Sequence, residues 1–152
     1  MPKINNELCM GCGKCLEICG FDAIDMVGGK AKGNKKCIAC RMCAGHCPVG
    51  AITVKEIPDH QGAVEKWIHA YAKKHGFAVK EESVGRVAQG LLMNLKKHGA
   101  MYCPCRIVTG KKDIDEKSVC PCAYHKKEIE EDGECHCMLF TKYLCIDDPY
   151  DT

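Results

Sequence analysis

Apolar residues recur with a helical period only in the middle of the chain. Val64, Trp67, Ile68 and Tyr71 fall at i, i+3, i+4 and i+7, which predicts an amphipathic helix ending near Gly76. Val84, Val87, Ala88, Leu91, Leu92 and Leu95 form a second stripe, with Ser83 placed as N-cap and Gly99 just past the helix end. Both stripes read as core-facing surfaces. Elsewhere the pattern is broken. Gly28-Gly29-Lys30 reads as a hairpin turn beside Ile24-Asp25-Met26-Val27. Residues 55–62, with Pro58 and Gly62, show no periodicity and read as a linker. Residues 103–145 read as loops with a short helical stretch near 126–132, and residues 147–151 as a solvated tail.

Cysteine changes this picture, with 15 among 152 residues. Such density marks disulfide scaffolds in short secreted chains. Here the first residues carry no apolar segment of the secretory type, and no run of about 18 apolar residues suggests a membrane span. C-x2-C spacing then points to metal or redox chemistry in a cytoplasmic protein. Lys and Arg total 22 against 20 Asp and Glu, and the charges interleave without a basic stripe. Nucleic acid is therefore not expected as a partner.

Eight cysteines form two runs, Cys9, Cys12, Cys15, Cys19 and Cys37, Cys40, Cys43, Cys47, each reading C-x2-C-x2-C-x3-C. The runs are offset by 28 residues, and Ala23-Ile24 maps onto Ala51-Ile52 at the same offset. The repeat implies two copies of one supersecondary unit. This spacing wraps three thiolates round one cluster while the fourth cysteine reaches the other. Cys9, Cys12, Cys15 and Cys47 are expected to hold one 4Fe–4S cluster, and Cys37, Cys40, Cys43 and Cys19 a second. Zinc sites use paired knuckles separated by a longer gap, a poorer match. His46, beside Cys47, reads as a supporting or surface residue, since four thiolates complete each site. The stretch resembles two-cluster bacterial ferredoxins, with one departure: Pro48 follows Cys47, but Gly20 follows Cys19.

Six further cysteines come in pairs, Cys103-Pro104-Cys105, Cys120-Pro121-Cys122 and Cys135-His136-Cys137. Two readings compete. Four or more thiols bind structural zinc and the rest are inert, or four hold a third 4Fe–4S cluster and two form a redox disulfide beside it. The three pairs, followed by Met138-Leu139-Phe140 and preceded by Tyr71-Ala72-Lys73-Lys74-His75-Gly76, resemble the catalytic subunit of ferredoxin:thioredoxin reductase. That resemblance implies Cys103, Cys120, Cys122 and Cys135 as cluster ligands and Cys105–Cys137 as the redox disulfide. It also implies that Cys105 attacks the target, Cys137 lies against the cluster, and His136 handles protons. Cys145 is left over and reads as a buried free thiol. The remaining histidines, His125 among them, read as surface residues.

The expectation is an α+β fold in two domains: a pseudo-symmetric ferredoxin-like domain over 1–57, a linker at 58–62, and a mainly helical reductase domain over 63–152. Three 4Fe–4S clusters would turn the formal charge of +2 to roughly −4, because each cluster with its four thiolates carries about −2. The expected partners are a low-potential electron donor, a ferredoxin or a reductase, and a thioredoxin- or glutaredoxin-like protein. A non-catalytic electron carrier with a zinc-binding C-terminal module, or a reductase of a small-molecule disulfide, are the alternatives.

Overall fold

Two tight helices organise the first half of the chain. In the computed structural model, which describes residues 2–55, 57–104, 108–120, 123–135 and 139–142, strand β1 (Lys3–Ile4) leads into helix α1 (Lys14–Ile18). Strands β2 (Ile24–Val27) and β3 (Lys30–Gly33) follow, then helix α2 (Met42–His46) and strand β4 (Ile52–Thr53). β2 and β3 form the expected hairpin, with Val27 opposite Lys30 across the Gly28-Gly29 turn. β1 pairs antiparallel with β4, Ile4 opposite Ile52, so the two ends of this half meet.

α1 and α2 match in entry and exit. Each follows a left-handed residue, Gly13 at φ 77 and Arg41 at φ 66. Each ends on an extended cysteine, Cys19 or Cys47. Gly11 at φ 72 likewise corresponds to Ala39 at φ 62. The first copy uses glycine at both left-handed positions. The second holds Ala and Arg there, a conformation that disfavours any residue with a Cβ.

The second half is built on two long helices. α3 (His60–His75) starts inside the stretch expected to be linker, because the Asp59 carboxylate accepts from Gly62 N–H and caps it. It closes on Gly76 in the left-handed conformation, as expected. β5 (Phe77–Val79) then leads to α4 (Glu81–His98). α4 begins before Ser83, whose side chain is buried in the first turn, and Lys80 occupies the cap position. Glu81 and Glu82 in the first turn, and Lys96, Lys97 and His98 in the last, complement the helix dipole. Beyond it come α5 (Lys112–Asp115), a 3-10 turn at Glu116–Ser118, α6 (His125–Asp132) and β6 (Phe140–Lys142). β6 pairs antiparallel with β5, Val79 opposite Phe140. The architecture is α+β, with small two-stranded sheets and helices.

Val64, Trp67, Ile68 and Tyr71 of α3 pack against Val84, Val87, Ala88 and Leu91 of α4, and all are buried. Phe140 closes this core, its ring 5.5 Å from Tyr71 and 6.4 Å from Trp67. Ile18, Cys40 and Met42 from the first half belong to the same core. The two halves therefore share buried surface. Trp67 Nε1 donates to the Ile18 carbonyl at 2.8 Å, Lys74 Nζ reaches the Cys19 carbonyl at 2.8 Å, and His60 Nε2 lies 3.0 Å from the Cys40 carbonyl. Gly20, the departure noted after Cys19, sits against α3 where a Cβ would come within 2.8 Å of Ala70 and of Tyr71 N. Cys105, Cys122, His136, Cys137, Cys145 and the tail lie outside the described residues.

Candidate metal centres

The cysteine runs curl round two cavities. One is lined by Cys9, Cys12, Cys15 and Cys47. The other is lined by Cys19, Cys37, Cys40 and Cys43. Each cavity thus takes three cysteines from one run and the last cysteine of the other. α1 produces this exchange: Cys15 lies in it facing the first cavity, and Cys19 just past its end faces the second. α2 does the same for Cys43 and Cys47.

Backbone N–H groups are aimed at the sulfurs. Ala23 N donates to Cys19 Sγ at 3.4 Å, Ala51 N to Cys47 Sγ at 3.2 Å and Ala39 N to Cys37 Sγ at 3.4 Å. Ala23 and Ala51 are the residues matched by the internal repeat, so the repeat carries the hydrogen bonds as well as the thiols. Such bonds to cluster sulfurs are one of the levers on reduction potential. Burial pushes the thiols of Cys40 and Cys43 up to about 12 and raises that of Cys15. Donors from Ala31 and Gly11 lower that of Cys9. Buried thiols with raised values stay protonated near neutrality unless a cation compensates, and a coordinating thiol is deprotonated outright. Four sulfurs round each volume, with N–H donors behind them, fit a thiolate-bound iron–sulfur cluster. Among the described residues, no three His, Cys, Asp or Glu side chains converge as they do on a single metal ion.

One cysteine of each pair, Cys103, Cys120 and Cys135, belongs to the shared core. Cys103, Cys120 and Cys135 are all buried. An antiparallel bridge between Tyr102 and Val119 sets Cys103 and Cys120 on neighbouring segments, with Cys103 N donating to Ser118 O and Cys120 N to Met101 O. Cys135 is placed by β6: its N–H donates to Phe140 O at 2.9 Å, and Phe140 N–H donates to Cys135 Sγ at 3.3 Å. Cys103 is disulfide-bonded, so its service as a ligand requires that bond to be reduced. Pro104 sits on α4 at Gly90, where a Cβ would come within 2.5 Å of the proline ring.

Residues 54–148 match the family described as ferredoxin thioredoxin reductase catalytic beta chain. The chain belongs to that family. Residues 2–25 and 34–53 match the 4Fe-4S binding domain, so the reductase-family region follows a ferredoxin region on one chain. This is an iron–sulfur protein of an electron-transferring oxidoreductase family. Over 56 residues it is 46% identical to an uncharacterized ferredoxin of Methanocaldococcus jannaschii, covering 35% of this chain and 37% of that protein. A polyferredoxin-like protein of the same organism, also uncharacterized, is 28% identical over 116 residues, 64% of this chain and 69% of that protein. Ferredoxin-3 of Nostoc sp. is 26% identical over 71 residues, 34% of this chain and 73% of that protein. Among the described residues no helix is long and apolar enough to cross a membrane.

One histidine departs from the sequence reading. His125 is buried rather than at the surface, with Tyr71 Oη 3.0 Å from its Nε2. Its spacing of four from Ile129, the buried apolar residue of α6, is the signal that places it on the inner face. His46 reaches across to the second half, Nε2 lying 2.9 Å from the Cys120 carbonyl oxygen. A carbonyl only accepts, so Nε2 carries the hydrogen. Burial lowers the His46 pKa, in keeping with a neutral ring. Nothing in the sequence indicates this contact, which joins residues 74 positions apart.

Proposed function

We propose that this chain is a ferredoxin-linked disulfide reductase that carries its own electron-entry region. Electrons from a low-potential one-electron donor, a ferredoxin or a reductase, enter the first half. They reduce a disulfide in the second half to a dithiol, which in turn reduces a thioredoxin- or glutaredoxin-like protein in the cytoplasm. The observation that carries this reading is the shared core: Cys40 of the first half and Cys103, Cys120 and Cys135 of the second lie in one buried cluster. Donor and acceptor regions are packed together, beyond the gain in effective concentration that a tether alone provides.

In this reading Cys9, Cys12, Cys15 and Cys47 hold one 4Fe–4S cluster, and Cys19, Cys37, Cys40 and Cys43 the second. Cys103, Cys120, Cys122 and Cys135 hold a third. The domains are 1–57 and 63–152. Bound clusters supply single electrons to a site that must deliver two. The rest is thiol chemistry. The Cys105 thiolate attacks the target disulfide, forms a mixed disulfide and releases one target thiolate. The Cys137 thiolate then attacks the Cys105 sulfur, releases the second target thiolate and closes the Cys105–Cys137 disulfide. Two electrons and two protons restore the dithiol, with His136 positioned in sequence to move a proton. A donor near −400 mV working against a target near −270 mV provides about 130 mV, or roughly 6 kcal/mol for two electrons.

Metal content and thiol trapping test the reading. About twelve iron atoms per chain and no zinc are expected for three four-iron clusters. About eight iron atoms with zinc would remove the third cluster and favour a non-catalytic carrier. Cys137→Ser is expected to leave Cys105 joined to a protein target as a stable mixed disulfide.

A further inference from the structure

The residue before the last cysteine of each run makes a contact with the second half. Ile18 precedes Cys19, and its carbonyl accepts from Trp67 Nε1 at 2.8 Å. His46 precedes Cys47, and its Nε2–H donates to the Cys120 carbonyl at 2.9 Å. The same repeat position thus touches the second half in both copies, through backbone in one and through a side chain in the other.

We propose that His46 is the positioning residue through which electrons leave the first half, coupling Cys47 to Cys120. The inference rests on the reading of both cysteines as cluster ligands. From Cys47 the path runs along the peptide link to His46, through its ring, across one hydrogen bond, and along the Cys120 backbone to its sulfur. Every other step is a covalent bond. The competing path starts at Cys19 and crosses from Ile18 O to Trp67. It then jumps between the Trp67 and Phe140 rings, 6.4 Å apart edge to face. It ends on the hydrogen bond from Phe140 N to Cys135 Sγ. Electron coupling decays faster across space than along bonds, so the His46 path is the better conductor. The docking of α2 reinforces it: at Gly45 a Cβ would lie 3.4 Å from Val119 Cγ1, so the end of the helix rests on the residue before Cys120. One electron crosses at a time. No bond forms or breaks in the bridge, and His46 keeps its Nε2 hydrogen throughout.

The test uses the full, iron-loaded chain and three variants. Iron per chain and the electron paramagnetic resonance spectrum of the reduced first-half clusters are measured first. The rate at which electrons placed on those clusters appear as thiols in a single turnover is measured next. His46→Phe is expected to keep iron content and spectrum while slowing the crossing by about tenfold, the factor equal to about 1.4 kcal/mol. His46→Gln, which retains an N–H donor, is expected to restore most of the rate. Trp67→Phe, which removes the N–H that opens the competing path, is expected to leave it unchanged. Wild-type crossing in His46→Phe, or equal slowing in Trp67→Phe, overturns the assignment. Loss of iron in His46→Phe that His46→Gln does not repair makes His46 a structural prop and overturns it too. A wild-type chain with only about eight iron atoms would instead defeat the three-cluster reading on which the inference rests.

Discussion

Gly20 rests against Ala70 so closely that a Cβ on the glycine would lie 2.8 Å from the Ala70 carbonyl carbon. The glycine stands where the second copy of the repeat has Pro48. The departure from the ferredoxin pattern is therefore a docking feature: a side chain there would push α3 off the first half. Gly20→Ala is expected to destabilise the protein by about 1–3 kcal/mol, the range for overpacking. Pro48→Ala should cost less. Chemical denaturation of the two variants side by side measures the difference.

The left-handed residues of the second run give an opposite expectation. Ala39 at φ 62 holds a conformation that glycine adopts freely. Ala39→Gly is expected to raise stability by about 0.5–1 kcal/mol. The corresponding Gly11 is crowded as well as left-handed, its Cβ position falling 2.2 Å from Gly29 O. Gly11→Ala should therefore be strongly destabilising. A lower unfolding midpoint for Ala39→Gly would contradict this account of the loop.

Much of the architecture was legible in the periodicity. Val64, Trp67, Ile68 and Tyr71 proclaim a buried face, and Gly76 and Gly99 mark both helix ends. What such a stripe does not state is its partner, and here Trp67 and Tyr71 serve two surfaces at once, α4 and the first half. β5 and β6 leave no periodic signal, because each is three residues long and they pair across a large sequence separation. Three close thiols and one distant thiol line each cavity, a grouping that follows from the geometry of the run. Among the described residues of the second half, the cysteine pairs carry no comparable spacing rule, and their assignment leans on family resemblance.

Gly90 links α4 to the first cysteine pair. Glycine inside a helix is destabilising by roughly 0.5–1 kcal/mol relative to alanine, yet here it admits the Pro104 ring. Gly90→Ala is expected to displace the Cys103-Pro104 segment. Iron content should fall by up to about four atoms per chain, one four-iron cluster, while the first-half clusters stay intact. Iron analysis with electron paramagnetic resonance separates the two populations.

His69 carries a modest pH dependence. Its Nε2 lies 2.8 Å from Glu81, and this hydrogen bond raises its pKa. A raised histidine contributes stability that is fully present below the unfolded value, about 6.5. That contribution is lost as pH rises through the folded value. Both side chains are largely exposed, so the effect stays under about 1 kcal/mol. Glu81→Gln is expected to be less stable than wild type at pH 6, with the gap narrowing by pH 9. A gap that widens with pH would show that the pair does not work this way.

The central claim is that electrons entering the clusters of the first half reduce a protein disulfide through Cys105. Anaerobic turnover of a thioredoxin-like disulfide, driven by a low-potential one-electron donor and followed by thiol release, tests it most directly. Wild type is expected to release two thiols for every two electrons consumed, and Cys105→Ser to release none with its iron content unchanged. Full disulfide reduction by Cys105→Ser, or none by the fully iron-loaded wild type, would contradict the account.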